Sequence, residues 1–238
     1  MKPLTPVRKR KRISIIIPTL NEGDHIAETL ASTQGVPDVE VIVVDGGSQD
    51  GTLETAKSCG AKLVISSPGR ARQMNAGAAQ AMGDILLFLH GDTRLPRRFD
   101  AYIHQILARP GVVAGAFRMG VDGDLFGLRL LEKLVNFRSR RLQLPYGDQA
   151  LFLRADLFWE IGGFPYMPIM EDFEMVRRLR RLGRIVTGPV SILTSARRWE
   201  KIGIVRATLI NYTLPLAYYL GVSPSRLARW YGRGKSTP

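Results

Sequence analysis

Three acidic residues stand at places in the sequence where a carboxylate could bind a ligand. Asp45 and Asp92 each follow an apolar run typical of a buried strand, residues 41–44 and 85–89. In an open α/β sheet, ligands bind beyond the carboxyl ends of the strands, so both side chains are expected to face one cleft. Asp172 stands at the start of a later helical run. Together these positions indicate a binding cleft lined with carboxylates.

The second carboxylate belongs to the tripeptide His90-Gly91-Asp92. Carboxylate oxygen and imidazole nitrogen are donors that Mg²⁺ or Mn²⁺ accepts beside a phosphate. The tripeptide therefore indicates a divalent-metal site with His90 and Asp92 as candidate ligands. A single cysteine, Cys59, excludes both a disulfide framework and a zinc site built from cysteines.

Ordinary structural roles also explain these residues. Gly46 and Gly47 permit a tight turn after Asp45, and Ser48 or Asp50 can cap the helix that follows. At the third carboxylate, acidic residues open a helix and arginines close it, which suits the helix dipole. On these segments alone, turn-and-cap roles and ligand binding both stay open.

Strands and helices alternate in the segments that must position these side chains. Four apolar runs predict strands: residues 13–17, 41–44, 62–66 and 84–90. The helices between them close at Gly60 and Gly83. This βαβ order predicts an α/β fold with a mostly parallel central sheet flanked by helices.

Two later stretches combine apolar and basic or polar residues. Residues 122–144 carry leucines at helical spacing and five basic residues, typical of an amphipathic helix. Its basic face is either solvated or turned towards phosphates or a membrane surface. Residues 202–220 are about as long as a membrane span but contain Arg206, Asn211 and Pro215. That composition favours an amphipathic helix lying on a membrane or against a partner.

The composition is that of a globular protein with a strong positive charge. Its 238 residues suffice for one large domain, and a hydrophobic share of 45% is ordinary. Lys and Arg number 34 against 21 Asp and Glu, a net charge of +13 that favours anionic partners. Residues 1–12 form a basic flexible arm without a signal-peptide pattern after it. With one cysteine, the protein is expected to be cytoplasmic.

Seven short motifs occur along the chain. They are IIIPTLNE (15–22), VVDGGSQDGT (43–52), GRARQMNAGAAQAMGD (69–84), HGDT (90–93), GDQALF (147–152), GGFP (162–165) and MEDFE (170–174). In this order and spacing the motifs resemble the family 2 glycosyltransferases of the GT-A fold, over roughly residues 13–200. GRARQMNAGA, HGDTRLP and MEDFEM more narrowly resemble a small bacterial subgroup, some of whose members are carotenoid-acid glucosyltransferases.

This resemblance implies a single GT-A-type, Rossmann-like domain at residues 13–200 and a C-terminal amphipathic helical segment at 201–238. It implies an inverting transfer from a nucleotide-sugar, most often UDP-linked. Asp45 is then expected to hydrogen-bond the uracil, and Asp172 to be the general base. Asp92, with His90, is expected to bind Mg²⁺ or Mn²⁺ on the diphosphate.

The same resemblance assigns the remaining site residues. Those on the donor side are Pro18, Glu22, Gly47, Arg70, Asn75, Gly91 and Arg198. Those on the acceptor side are Gly147, Asp148, Gln149, Glu171 and Trp199. Two positions depart from the family pattern. His90 replaces the first Asp of the DxD motif and can still ligate a metal, although a strict metal requirement is no longer implied. Ser195 replaces the first residue of (Q/R)xxRW, which disfavours a processive polymerase.

The leading hypothesis is transfer of one sugar to a small or lipid-like acceptor, such as a carotenoid or another lipid carboxylate or hydroxyl. Peripheral contact with an anionic membrane, on its cytoplasmic face, fits the basic stretches. One alternative is a non-catalytic basic module that binds nucleic acid or a membrane surface, but its basic arm lacks interleaved aromatics, which disfavours nucleic acid. The other is a nucleotidyltransferase, which would need a phosphate loop where PTLNEGD stands.

Overall fold

The first strand is buried over its whole length. All seven residues of β1 (Ile13–Thr19) are shielded from solvent, as in a parallel sheet that helices cover on both faces. The computed structural model describes residues 11–231. Residues 1–10 of the predicted basic arm, and residues 232–238, lie outside the described residues.

The strands and helices alternate through the first half of the described chain. Within residues 11–231 the strands are β1 (Ile13–Thr19), β2 (Val39–Asp45), β3 (Lys62–Ile65), β4 (Ile85–Phe88), β5 (Thr93–Arg94), β6 (Val112–Asp122), β7 (Phe152–Arg154) and β8 (Arg184–Ser195). The α-helices are α1 (Ile26–Ala31), α2 (Thr52–Ser58), α3 (Arg70–Ala79), α4 (Phe99–Leu107), α5 (Leu128–Arg141), α6 (Ala155–Glu160), α7 (Glu171–Leu182), α8 (Arg197–Ile202), α9 (Ile204–Tyr219) and α10 (Pro224–Trp230).

One mixed sheet joins all these strands in the order β3-β2-β1-β4-β7-β6-β8-β5. β1 pairs in parallel with β2 and β4, β2 with β3, and β6 with β8. β7 is antiparallel to β4 and β6, and β5 is antiparallel to β8. The predicted α/β fold with a mostly parallel sheet is confirmed. The strands that precede Asp45 and Asp92 are separated by β1.

Alternate residues of β1 contribute to two apolar clusters on opposite faces of the sheet. Ile15 and Ile17 pack with residues of α1, α2 and α4. Ile16 packs with residues of α3, α6 and α7. Helices therefore pack against both faces of the sheet. They hold the loops at the carboxyl ends of the strands in position from both sides.

The second half differs from the sequence-based expectation in two places. The helix expected from Asp122 begins at Leu128, because β6 continues to Asp122. β8 has no counterpart in the predicted elements, since Gly188 and Pro189 in its middle are typical strand breakers. Its pairing with β6 shifts register around these two residues, so a local irregularity accommodates them.

The predicted C-terminal helical segment consists of α9 and α10, which pack against the start of α7. Leu214 and Leu227 join a cluster with Phe173, and the Tyr218 hydroxyl donates a 3.2 Å hydrogen bond to Glu174. Among residues 11–231, no helix combines the length and the hydrophobicity needed to cross a membrane. The two helices thus complete the same folded body as the sheet.

A buried glutamine of α3 connects the ends of β1 and β2. Gln73 is 4% exposed, and its side-chain amide donates to the carbonyls of Thr19 at 2.7 Å and Val44 at 2.9 Å. Its Oε1 accepts a bond from the Gly69 amide. Buried carbonyls without partners are costly, so Gln73 secures the edge from which the following loops emerge.

Gln73→Leu is expected to lower the free energy of unfolding by about 1–3 kcal/mol, because it removes two buried hydrogen bonds, to the Thr19 and Val44 carbonyls. Urea unfolding monitored by circular dichroism measures the change. Gln34→Leu, at an exposed position, is the matched control and should stay within about 0.5 kcal/mol of the parent. Equal stability of the two variants would contradict the assigned role of Gln73.

Candidate active site

A cavity of about 300 Å³ lies beyond the carboxyl edge of the sheet. Its walls come from the loops after β4 and β8, the start of α7, and helices α8 and α9. Eight of the residues singled out from the sequence line it: Arg70, His90, Asp92, Asp148, Glu171, Asp172, Arg198 and Trp199. Pro18 and Gly147 line a small adjoining recess that shares Arg70, His90 and Asp172 with the cavity.

An arginine bridges two of the predicted carboxylates. Arg197 Nη2 lies 2.6 Å from Glu22 Oε1 and 3.0 Å from Asp92 Oδ2. Burial tends to lower the pKa of Arg197, but the hydrogen bond to Glu22 and the charge of Asp92 outweigh it and raise that pKa above its ordinary value. Glu22 also lies against Gly91, where an added Cβ would approach its Cγ to 3.0 Å. Glu22, Gly91 and Asp92 therefore meet on one side of the cleft.

Sequence reasoning missed Arg197, although it stands next to the predicted Arg198. The signal was the pair of adjacent arginines in SARRW, of which the family pattern singles out only the second. The structure separates their roles. Arg197 pairs with acids of the sheet edge, whereas Arg198 donates to Asn211 Oδ1 of α9 at 2.8 Å.

Asp172 lies in the first turn of α7 and is held by two backbone amides. Its Oδ1 accepts from the Phe173 N–H at 2.7 Å, and its Oδ2 accepts from the Gly147 N–H at 2.8 Å. A Cβ added at Gly147 would lie 3.2 Å from Asp172 Oδ2 and 3.3 Å from His90 Nε2. Asp172 and His90 therefore converge on Gly147, where a methyl group would fit only if these side chains shifted by a few tenths of an ångström.

A second carboxylate shares the cavity with Asp172. Asp148 has a buried Oδ1 without a hydrogen-bond partner among residues 11–231. Burial raises the pKa of Asp148, and the charge of Asp172 raises it further, against the opposing effect of Arg138, Arg198 and Arg70. The two carboxyl groups are thus electrostatically coupled.

Arg138 and Tyr146 support this wall, and sequence reasoning assigned a role to neither. The Arg138 guanidinium carbon lies 3.6 Å from the centre of the Tyr146 ring, within cation–π range. Arg138 Nε donates to the Leu144 carbonyl at 3.1 Å. Burial raises the pKa of Tyr146 to about 12, despite the opposing charge of Arg138. The phenol is therefore neutral at ordinary pH.

Asp45 is only 1% exposed and organises the turn after β2. Its Oδ2 accepts from the Gly47 and Ser48 amides, each at 2.8 Å. Its Oδ1 accepts from the hydroxyls of Ser48 and Thr19. Gly47 has φ of 100°, in the region that favours glycine. The N-cap position of α2 is Gly51, and Asp50 just before it accepts from the Thr52 N–H with its Oδ1 at 3.0 Å.

Two predicted site residues use their amide groups for the scaffold instead of facing the cavity. Asn75 donates to the Phe164 carbonyl at 2.8 Å and accepts from the Phe164 N–H at 2.9 Å, which fixes the GGFP turn. Gln149 is buried and donates to the Phe117 carbonyl at 2.9 Å and to Ser139. Neither lines the cavity, because both side chains hold backbone from distant segments.

The C-terminal helices close one side of the cavity. Ile210, Asn211, Leu214 and Pro215 of α9 line it beside Tyr231. Asn211 accepts a hydrogen bond from Arg198, so a charged side chain reaches this side as well. α9 therefore adds three apolar side chains, Ile210, Leu214 and Pro215, to a cavity that also contains charged residues.

The side chains of Glu22, His90 and Asp92 provide some of the ligands that a divalent cation needs. Within residues 11–231, no group of three His, Cys, Asp or Glu side chains could hold a metal ion by itself. Asp92 and His90 both line the cavity, and Glu22 Oε2 is a buried oxygen without a hydrogen-bond partner in the described chain. Oxygen-rich ligands of this kind suit Mg²⁺ or Mn²⁺ when phosphate and water supply the remaining ligands. The residues present therefore supply part of a divalent-metal site, and a bound phosphate group would have to complete it.

Comparisons with known proteins agree with this geometry. Residues 14–162 match the family model described as Glycosyl transferase family 2. A PGL/p-HBAD biosynthesis glycosyltransferase of Mycobacterium bovis is 30% identical over 233 residues, which cover 88% of this chain and 86% of the relative.

Solved structures resemble the fold over most of the chain. Mannosyltransferase PcManGT from Pyrobaculum calidifontis, in complex with GDP-Man and Mn²⁺, gives a TM-score of 0.69 at 22% identity, over 91% of this chain and 67% of that chain. Glucosyl-3-phosphoglycerate synthase from Mycobacterium tuberculosis, in complex with Mn²⁺, UDP and glucosyl-3-phosphoglycerate, gives 0.58 at 24% identity, over 77% and 71% of the two chains. The chain belongs to glycosyl transferase family 2 and is a glycosyltransferase with a GT-A-like fold.

Proposed function

We propose that this glycosyltransferase transfers one sugar, with inversion, from a UDP-linked donor to a small or lipid-like acceptor. The observation that carries the proposal is the position of Asp172, which shares one cavity with Asp92 and is held by backbone amides. A carboxylate fixed beside the donor site is what a general base requires. The alternatives, a non-catalytic basic module and a nucleotidyltransferase, leave this arrangement without a use.

The nucleoside is assigned to the loops after β1 and β2. Pro18, Glu22, Gly47 and Gly91 form this side, and Asp45 is the proposed base-recognition residue. The Asp45 carboxylate already accepts hydrogen bonds from its own turn, so a uracil N–H would take the place of the Ser48 hydroxyl. UDP and Mn²⁺ in the glucosyl-3-phosphoglycerate synthase complex support the choice of donor.

The diphosphate is assigned to the charged side of the cavity. Asp92 and His90 would hold Mg²⁺ or Mn²⁺ there, and the cation would supply positive charge to the diphosphate. Arg70 and Arg198 line the same cavity and are proposed to stabilise the negative charge that grows on the leaving group. Their guanidinium groups need no change of protonation to do so.

Asp172 is the proposed base. In the transfer, the acceptor O–H gives its proton to Asp172, and the acceptor oxygen forms a bond to the anomeric carbon from the face opposite the diphosphate. The bond between that carbon and the diphosphate oxygen breaks, and UDP leaves. Five residues are assigned to the acceptor side: Asp148, Glu171, Gly147, Gln149 and Trp199. Gln149 acts by holding the scaffold, and Trp199 acts as part of the cavity wall.

The acceptor is proposed to be lipid-like because α9 gives its side of the cavity an apolar wall. A carotenoid acid or another lipid carboxylate or hydroxyl has the matching chemistry, with an apolar chain and one nucleophilic oxygen. Such an acceptor resides in a membrane, so we place the enzyme on the cytoplasmic membrane face as a peripheral protein.

Asp172→Asn is expected to lower the rate of sugar transfer about 10²–10⁴-fold, because an amide cannot accept the acceptor proton. Released UDP measures the rate, and calorimetry should show donor affinity within about twofold of the parent. The control is Asp124→Asn, an exposed aspartate outside the cavity. A transfer rate equal to that of the control would remove Asp172 as the base.

UDP-glucose with Mn²⁺ is expected to raise the melting temperature more than either does alone, because ligands that bind only the folded state stabilise it. Asp92→Asn should lose the Mn²⁺-dependent part of the shift and keep the part due to the nucleotide. GDP-mannose serves as the comparison donor, since PcManGT was solved with GDP-Man. A larger shift with GDP-mannose would overturn the choice of uracil, and an unchanged shift in EDTA would overturn the metal role.

Gly147→Ala is expected to reduce kcat roughly tenfold or more while the melting temperature changes little. The new methyl group would press on Asp172 Oδ2 and His90 Nε2 at 3.2 and 3.3 Å and displace the base. Gly51→Ala, where the added Cβ meets nothing within 4 Å, is the matched control. Full activity of Gly147→Ala would show that this contact does not position the base.

A further inference from the structure

The outer face of α9 carries a row of exposed apolar side chains. Its members recur every three or four residues, as one stripe of a helix does: Val205, Leu209, Tyr212, Leu216 and Tyr219. Each is at least 43% exposed. At 1.5 Å per residue the row extends over about 21 Å. A solvent-facing helix stripe is ordinarily polar, so this row indicates that something covers it.

The inner face of the same helix is apolar as well. Ala207 and Leu214 are buried there, and Ile210 lines the cavity. α9 is therefore apolar on two sides, and only the inner side is explained by the fold. The outer row contributes nothing to the apolar clusters of the sheet and has no role in them.

α5, a neighbour of α9, carries an exposed apolar row of its own. Leu130, Leu134 and Phe137 are 62%, 44% and 62% exposed, and Phe126 before the helix is fully exposed. The two helices are neighbours, since their inner residues share one apolar cluster. A Cβ added at Gly127 would lie 3.7 Å from Ile204 Cδ1. We call the outer rows of α5 and α9, with Phe126, the two-helix face.

The charges around the two-helix face are almost all positive. No Asp or Glu occurs from residue 201 to the end of the sequence, whereas Lys201, Arg206, Arg226 and Arg229 do. The single acid of α5, Glu132, is paired with Arg129. Two acids stand close to Phe126: Asp122, which is paired with Arg94, and Asp124, which is exposed. Cations therefore outnumber acids around the face.

A basic groove of about 510 Å³ adjoins the α5 row. Its lining comprises Arg118, Lys133, Asn136, Phe137, Arg140 and Arg141. Arg118 Nε is buried and has no hydrogen-bond partner among residues 11–231. A groove with four cations and an exposed phenyl ring suits an anionic headgroup attached to an apolar chain.

We propose that the two-helix face docks the enzyme on an anionic lipid bilayer. Exposed apolar rows with cations beside them match an interface in which side chains enter the acyl boundary while Lys and Arg contact phosphates. A second copy of this chain is disfavoured, because it would bring two positively charged faces together. The bilayer satisfies both the apolar rows and the charge.

Docking on a bilayer extends the proposed function. It relies on that function only for the lipid-like acceptor. α9 contributes its outer row to the bilayer contact and its inner residues to the cavity wall. An acceptor would therefore cross about the width of one helix, roughly 10 Å, between the bilayer and the cavity. The acceptor's apolar chain could stay in lipid while its oxygen reaches the active site.

The test is sedimentation of the full chain with vesicles of phosphatidylcholine containing phosphatidylglycerol, and with vesicles of phosphatidylcholine alone. The parent is expected to bind the anionic vesicles and to bind less at high salt. The triple variant Phe137→Gln, Leu209→Gln, Leu216→Gln should bind roughly tenfold more weakly, because it removes apolar contacts from both rows. The control, Ile65→Gln with Met82→Gln, changes residues that are equally exposed and should bind like the parent.

Three results would overturn the docking face. They are vesicle binding of the triple variant equal to that of the control, no binding of the parent to anionic vesicles, and a dimer of the parent in light scattering that the triple variant abolishes. The melting shift with UDP-glucose, measured on the same proteins without vesicles, keeps the two proposals apart. If the shift is retained and vesicle binding fails, only the docking fails; if vesicles bind and no nucleotide-sugar does, the donor assignment fails.

Discussion

The active site depends on how β1 and β2 end together. At that edge the side chain of Gln73 donates to the buried carbonyls of Thr19 and Val44. The Thr19 carbonyl also accepts from the Gly46 amide at 2.9 Å, and the Val44 carbonyl from the Thr19 hydroxyl at 3.4 Å. These bonds connect the edge to α3 and to the turn of Asp45. The loops after β1 and β2 therefore start from one hydrogen-bonded edge.

The remainder of the site is assembled from segments far apart in the sequence. Arg197, after β8, reaches Glu22, after β1, across 175 positions, and the Gly147 amide reaches Asp172 across 25. Each contact joins a loop to a strand end or a helix start, where the backbone is already fixed. Family 2 membership accounts for the motifs, and these contacts account for their spacing, because each motif supplies one partner of a long-range pair.

The sequence predicts the first four strands and the positions of Asp92 and Asp172 because apolar runs and strand ends are local properties. It does not predict β8, since Gly188 and Pro189 break the local pattern and only pairing with β6 restores a strand. The sequence does not predict the hydrogen-bond and ion-pair partners of Arg197 and Asn75 either. Side-chain partners of that kind depend on tertiary packing, and nothing in a single motif specifies which of two adjacent arginines pairs with Glu22 and Asp92.

Because Arg197 is paired with Asp92, a cation that binds Asp92 would have to compete with an ion pair that is already present. Asp92 Oδ2 already has a guanidinium 3.0 Å away, so a cation that approaches this oxygen meets a resident counter-ion of the same sign. Coulomb repulsion at such distances is strong in a partly buried cleft, so a divalent cation held by Asp92 and His90, as proposed, would compete with the Arg197 guanidinium for this oxygen. Arg197 would then be the counter-ion of Asp92 whenever no cation is bound.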